Sequence, residues 1–301
     1  MQPNLFSFEK LNDILALTPV WNENNLRIWY DCRLVPMERY SSPLLTGEGY
    51  RLCPDIQKIE RWFDKGASLT LNQVDDLTPE LRSVANYLEA EFRGYVSANI
   101  YASCAGRRAF DSHYDDHEVF CFHVEGTKKW RLYEGRQDNP VGQPSYRPNL
   151  QQLHNEAKGP VEAEVIMTPG DFLYIPRGQY HDALAKDSAS LHVTFSLTPM
   201  NGLGLFDLLQ AFAVTDSLFR DDLPNSDSAA GKIALTNRLA LLGDRMQDIL
   251  NHPSLTDKII EAQGKHKRTR REGRIGIRAY PPSASRNSLS AKKRANPMCS
   301  P

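Results

Sequence analysis

The 301 residues predict a mainly β fold with flanking helices, on three observations. Between Tyr95 and Leu197 six short apolar segments (YVSANIYAS, EVFCFHV, KKWRLY, EAEVIM, DFLYI and SLHVTFSL) follow one another at short spacing, broken by turn residues. Helical periodicity is weak throughout that stretch and resumes only at Leu203. A chain with 41% hydrophobic residues is also long enough to bury a full core. Closely spaced short strands of this kind indicate a sandwich or a small barrel.

Taken in order, residues 1–94 read as a mixed α/β segment that supports the barrel. FEKLNDILAL is a short helix and LRIWYDCRLV a strand. DIQKIERWF is helical by the spacing of Ile56, Ile59 and Trp62/Phe63, SLTLNQV is strand-like, and TPELRSVANYLEAEF is a helix opened by the cap Thr78 and a first-turn Pro79. Residues 95–200 form the β core. Residues 201–263 are helical: GLFDLLQAFAV comes first, then KIALTNRLALLGDRMQDIL, whose Leu235, Leu239, Leu242, Met246 and Ile249 make an apolar stripe, then SLTDKIIEAQ. Such a stripe packs on its own domain or builds a homodimer interface, and the dimer is the expectation taken here.

Residues 264–301 form a basic tail. It carries eleven Lys/Arg against the single acid Glu272, about +10, which leaves about −11 for the rest of a chain whose net charge is −1. With few apolar side chains it is expected to be disordered, and its arginines offer either RNA contact through phosphates or a merely solvated terminus. The five cysteines are scattered and form no C-x-x-C pair, which excludes a disulfide frame and a cysteine zinc site and fits a reduced, cytoplasmic protein. No apolar run reaches the roughly 18–20 residues of a membrane span, so no membrane partner is expected.

The chemistry concentrates in HYDDHEVFCFHVEGTKKW, residues 113–130. If that stretch is extended, His113 and Asp115 share a face, because side chains alternate along a strand. Alone an H-x-D pair is weak. Downstream, TPGDFLYIPRGQYHDAL supplies turns at 169–171 and 176–178 and then His181. Two histidines and one carboxylate make the facial triad that holds Fe(II) with open coordination positions, although three protein ligands on zinc look similar. Lys128 follows the Glu125–Thr127 turn and shares its face with Trp130 and Leu132, so it points inward. An inward ammonium calls for a buried anion, such as a dicarboxylate co-substrate, unless its head reaches water from the strand end.

Together H-Y-D at 113–115, G-x-K at 126–128 and the later histidine after a PGD turn resemble the JmjC-type, cupin-fold 2-oxoglutarate oxygenases, and within them the ribosomal oxygenase branch and the asparaginyl hydroxylase of a hypoxia factor. N-x-Y at Asn99 and Tyr101, W-R-L-Y at 130–133 and L-H-V-T-F-S at 191–196 extend the resemblance, which covers roughly residues 50–200. It implies a double-stranded β-helix, a jelly roll of two four-stranded sheets. It implies iron ligands His113, Asp115 and His181, and Lys128 on the C5 carboxylate of 2-oxoglutarate with Ser196 and Asn99 or Tyr101 nearby. It further implies hydroxylation of an amino-acid side chain in a protein or peptide, ribosomal proteins among them, and a dimerisation region in the helices after the core. The chain departs from the pattern at Phe110, which stands where the asparaginyl hydroxylase has a hydroxyl residue, and nothing resembling the winged-helix domain of the ribosomal branch follows residue 263. Two other readings stand beside this one: a cupin-fold metalloenzyme acting on a small molecule without 2-oxoglutarate, and a non-catalytic JmjC-like binding module.

Overall fold

Local signals place the first helices where the sequence predicts them. In the computed structural model, which describes residues 5–46, 49–106, 108–142, 151–186 and 189–268, Ser7 caps α1 (Phe8–Leu15) by accepting from the Lys10 amide at 3.1 Å. β1 (Leu26–Tyr30) and β2 (Arg33–Val35) then form a hairpin where a single strand was expected. Asp31 and Cys32 both adopt left-handed backbone angles, φ 50° and 57°, which makes a two-residue turn whose twist matches the strands it joins. A second hairpin, β3 (Ser41–Thr46) and β4 (Gly49–Pro54), lies in a stretch with no clear alternation and was not expected. Asp55 caps α2 (Ile56–Asp64), β5 (Ser68–Leu71) follows, and Thr78 caps α3 (Pro79–Phe92) with Pro79 in its first turn.

The core strands are β6 (Gly94–Ser103), β7 (Glu118–Glu125), β8 (Lys128–Arg136), β9 (Val161–Met167), β10 (Phe172–Ile175), β11 (Gln179–Ala185) and β12 (Ser190–Pro199), with helix α4 (Gln151–Ala157) inserted between β8 and β9. β11 and α4 add to the six expected segments. Seven strands form one antiparallel sheet in the order β10-β7-β12-β6-β5-β1-β2, and three form another, β11-β8-β9. β5 pairs with β6, so the large sheet continues across residue 94. The longest ladder joins β12 to β6 over ten residue pairs, from Ser190↔Ser103 to Pro199↔Gly94. This is the expected mainly β, double-stranded β-helix architecture with flanking helices.

Apolar side chains from α1, α3, β1, β5, β6 and β12 fuse into one core under the outer face of the large sheet, with Leu26, Leu71, Leu81, Ala98, Leu191 and Phe195 fully buried. A smaller cluster, Val119, Cys121, Trp130, Met167 and Ile175, lies between the sheets. Period-two alternation therefore gives the large sheet two different faces, one sealed by helices and one turned to the space between the sheets.

The C-terminal helices are α5 (Gly204–Ala213), α6 (Ser217–Arg220), α7 (Ala229–Leu250) and α8 (Pro253–Lys265). Leu209, Ile249 and Leu255 make their small core. Of the α7 stripe only Ile249 is buried; Leu235, Leu242 and Met246 are half-buried and Leu239 is exposed. α8 runs past the expected start of the tail at residue 264, and Arg268 closes the segment by reaching the fully buried Asp75 at 2.7 Å while its amide donates to Glu89 at 3.0 Å. Residues up to Arg268 form one compact unit. The expected disorder and RNA contact of the tail concern residues that lie, from Thr269 onward, outside those described. No helix among the described residues is long and apolar enough to cross a membrane, and Cys32, Cys53, Cys104 and Cys121 are free thiols.

The turn that delivers β8 tolerates no side chain. Gly126 has φ +74°, and a Cβ there would lie 2.1 Å from the Ala189 carbonyl oxygen. Gly126→Ala should therefore destabilise the chain by about 1–3 kcal/mol through backbone strain alone, more with the clash, read as a lower urea midpoint at unchanged slope.

Candidate active site

Residues 111–117 belong to no strand, yet His113 is fixed to β11 by a reciprocal backbone pair: the His113 amide donates to the His181 carbonyl at 3.1 Å, and the His181 amide donates back at 2.8 Å. The expected alternation along a strand is thus replaced by a single bridge, and a further bond from the Gly178 amide to the Asp115 carbonyl at 2.9 Å turns the chain so that Asp115 returns to the same side. One potential ligand atom from each of His113, Asp115 and His181 lies within 4.8 Å of the others. His181 is buried, its Nε2 stands 3.6 Å from Asp115 Oδ2, and the two imidazoles are 4.7 Å apart between centroids.

The outer nitrogens of both rings are taken. His113 Nδ1 lies 2.7 Å from the Asp111 carbonyl and His181 Nδ1 2.9 Å from the Gln179 carbonyl. A carbonyl only accepts, so each Nδ1 carries the proton and each Nε2 presents a lone pair. Burial, then electrostatic repulsion from His113, pushes His181 down to about 4, which keeps it neutral at ordinary pH. Burial alone would raise Asp115, but His117, His113 and His181 together hold it below its usual range, so it is ionised. Two neutral imidazole nitrogens and one carboxylate oxygen fit a divalent metal with N/O preference and leave coordination positions free of protein.

Beyond the triad a cavity of about 440 Å³ opens between the sheets. Asn99, Tyr101 and Ser103 of β6 line it with His192, Thr194 and Ser196 of β12, facing Lys128 and Trp130 of β8 and His181, Ala183 and Ala185 of β11. All seven residues singled out in the sequence therefore meet one space, at different depths. Lys128 is buried, 5% exposed; its Nζ donates to Ser103 Oγ at 3.1 Å and lies 3.5 Å from His192 Nδ1. Burial pulls its ammonium down to about 8, and no carboxylate pairs with it among the described residues. His192, driven well below its usual range by burial and by Lys128, is neutral.

Sequence reasoning set Ser196 beside Lys128; the structure sets Ser103 and His192 there. Ser196 is four residues further along β12, roughly 13 Å at strand spacing, and its hydroxyl donates to the Ser97 carbonyl at 3.1 Å. Asn99 Oδ1 is occupied by the Gln73 amide at 3.1 Å. Tyr101 adjoins the lysine end, stacked on His192 at 4.9 Å with 3° between ring planes. Ser103 shares the parity of Asn99 and Tyr101, and His192 that of Ser196, so period two along β6 and β12 was the signal that could have found both. Phe110 packs between Trp29, at 4.6 Å, and His113, at 5.9 Å, as an apolar wall where a hydroxyl was missed.

Residues 76–205 match the family described as JmjC domain. The chain is 32% identical over 216 residues to ribosomal oxygenase 2 of Bos taurus, covering 66% of this chain and 44% of that protein. It is 36% identical over 153 residues to the bifunctional lysine-specific demethylase and histidyl-hydroxylase NO66 of Dictyostelium discoideum, covering 50% of this chain and 29% of that protein. The chain thus spans less than half the length of these relatives. Its fold is similar to that of YcfD, a ribosomal oxygenase from Escherichia coli solved with cobalt and 2-oxoglutarate, with a TM-score of 0.56, 15% identity and coverage of 89% of this chain and 65% of that one.

A buried ammonium facing a hydroxyl and a neutral imidazole costs stability. Replacing it with an apolar chain of similar length, Lys128→Met, should raise the thermal midpoint of the ligand-free protein, by about 1–3 kcal/mol in stability; an unchanged or lower midpoint would mean that the ammonium is already well compensated.

Proposed function

We propose that this chain, whose residues 76–205 match the JmjC domain family, belongs to the ribosomal oxygenase branch and is an Fe(II)- and 2-oxoglutarate-dependent oxygenase that hydroxylates an amino-acid side chain of a protein or peptide. One observation carries the reading: a His-Asp-His cluster whose Nδ1 atoms face backbone carbonyls shares a cavity with a buried lysine that, among the described residues, no carboxylate neutralises. The relatives' names, ribosomal oxygenase and histidyl-hydroxylase, support a protein substrate, ribosomal proteins among the choices.

Bound Fe(II) would supply oxygen activation, with 2-oxoglutarate and O2 converted to succinate and CO2 as one oxygen atom enters the substrate C–H bond. The chain does the rest. His113, Asp115 and His181 would hold the metal, and the two backbone carbonyls on the Nδ1 atoms fix the ring orientations. Lys128, with Ser103 beside it, would take the distal carboxylate. His192, Tyr101 and Trp130 close the walls, and the apolar side chains of Phe110, Val119 and Ala183 keep the space between the two ends poor in water.

Leu239 of the α7 stripe is exposed, as are Ile233 and Leu241 elsewhere on the same helix, which supports a homodimer, because a monomer would leave these side chains in water. A cytoplasmic location fits the free thiols. The excess of acid over base before residue 264 suits a basic protein partner.

Iron-loaded protein incubated with 2-oxoglutarate and ribosomal proteins should release succinate and add about 16 Da, one oxygen, to a protein chain. His113→Ala should abolish both, and Lys128→Ala should strip co-substrate affinity with metal still bound. No succinate together with no 2-oxoglutarate binding would point instead to the small-molecule metalloenzyme. The free Lys128 titrates near 8, and a carboxylate needs the ammonium form, so above pH 8 binding must draw in a proton. The dissociation constant for 2-oxoglutarate should accordingly be flat below pH 8 and rise above it, by up to about tenfold per pH unit, in calorimetric titrations.

A further inference from the structure

The segment carrying His113 and Asp115 is irregular, and within the barrel it is tied to β11 by the His113 pair and the Gly178 bond. Its other side rests on α4. Gln151, His154 and Asn155 share one face of that helix, and Lys158, the residue just past its end, continues the spacing of three and four. Gln151 Nε2 donates to the Ser112 carbonyl at 2.9 Å, Ser112 Oγ donates to Asn155 Oδ1 at 3.3 Å, and Lys158 Nζ donates to Ser112 Oγ at 3.0 Å, all one residue before the first histidine. His154 Nδ1 meets the hydroxyl of Tyr180 at 3.1 Å, one residue before His181. Tyr114, between His113 and Asp115, sets its ring edge-on against both His154, at 5.3 Å, and Tyr180, at 5.2 Å.

The helix is itself held against the sheet. Lys158 Nζ sits 4.7 Å over the ring of Tyr133 on β8, and the Tyr133 hydroxyl donates to the buried carboxylate of Asp182, the residue after His181. The Gly135 amide donates to the Lys158 carbonyl at 2.8 Å, and the backbones lie so close that a Cβ on Gly135 would fall 2.1 Å from the Ala157 oxygen. Neither these three α4 residues nor Lys158 lines the cavity. The contacts reach the neighbours of all three cluster residues and touch none of the three directly.

We propose that α4 is a brace for the metal cluster, and that Gln151, His154 and Lys158 are positioning residues that set His113 and Asp115 against His181. The proposal rests on reading His113, Asp115 and His181 as metal ligands. The bridge and the Gly178 bond hold the irregular segment from the barrel side alone and leave its outer side to tilt, whereas a metal site needs its donors placed to within about 0.5 Å. Contacts behind the bridge, on Ser112 and on the Tyr114–Tyr180 pair, remove that freedom. Partners one layer behind metal ligands are worth about 10–100-fold in metal affinity, and a brace acting through the adjacent residues belongs at the lower end.

Cobalt(II) alone serves as the probe, by calorimetry and by its visible absorption bands, with the full chain and no co-substrate. His154→Ala combined with Lys158→Ala should weaken cobalt binding about tenfold and alter the bands, while His154→Gln combined with Lys158→Arg, which keeps a hydrogen-bonding partner for Tyr180 and a cation on Tyr133, should restore both. Affinity within about twofold of wild type, or a loss that the conservative pair does not rescue, overturns the brace. Should the alanine pair fail to fold, Tyr180→Phe keeps the ring packing and removes only the hydroxyl; a loss beyond about twofold supports the brace and an unchanged affinity overturns it. Wild-type protein that takes up no cobalt, or binds it equally after His113→Ala, overturns the ligand reading and the brace with it, whereas normal wild-type binding with unaffected α4 variants overturns the brace alone.

Discussion

Two backbone hydrogen bonds, exchanged between His113 and His181, are the constraint on which the site depends. They join residues 68 positions apart at one point, without a ladder around it to average out error. Every other property of the cluster follows from that join. It puts both imidazoles on one side of β11, lets Asp115 come back toward them after the Gly178 bond, and leaves both Nδ1 atoms beside carbonyls of their own chain segments. Proton positions in the rings are thus decided by backbone rather than by solvent, and burial keeps His181 neutral at any pH well above 4, so that a metal would meet an unprotonated nitrogen there.

The cavity between the sheets is polar at its ends and apolar along its walls. At one end the cluster gathers one negative charge; at the other a buried lysine contributes one positive charge, moderated only by a hydroxyl and a neutral imidazole. Separated charges of this kind lower the stability of the empty fold, and the ten-pair ladder between β6 and β12 together with the core beneath it offsets the cost. Stability is drawn from the helix-covered face of the large sheet and given up on the inner face.

The fold was legible because its signals are local. Thr78-Pro79 opened α3, Asp55 capped α2, and alternation exposed six of the seven core strands. β11 escaped because QYHDALA mixes polar and apolar side chains on both parities: its inner face carries ligands and small residues, and Asp182 on the other face is satisfied by Tyr133. The hairpin at 26–35 read as one strand because neither Asp31 nor Cys32 is the glycine that left-handed turns favour. Within the site, residue types with distinctive chemistry, two histidines, an aspartate and a lysine, were found in advance. Ser103 and His192 were not set beside Lys128, since a serine on a strand carries no chemical signature until the pairing register shows what lies opposite.

That register also sets the distance between the two ends of the cavity. On the paired strands β8 and β11, His181 stands opposite Leu132 and Lys128 opposite Ala185, so cluster and ammonium are four residues apart, roughly 13 Å along the strand. Trp130 fills the interval, its ring 5.9 Å from His181 on one side and 5.5 Å from His192 on the other. Slipping the β8–β11 pairing by one residue would send Lys128 to the opposite face altogether, and slipping it by two would move the ammonium about 7 Å along the cavity. The separation of ammonium and cluster is therefore written in strand pairing as much as in the side chains, and the close backbone approach of Gly126, just before β8, to Ala189 and Ser190 fixes where β8 enters against the start of β12.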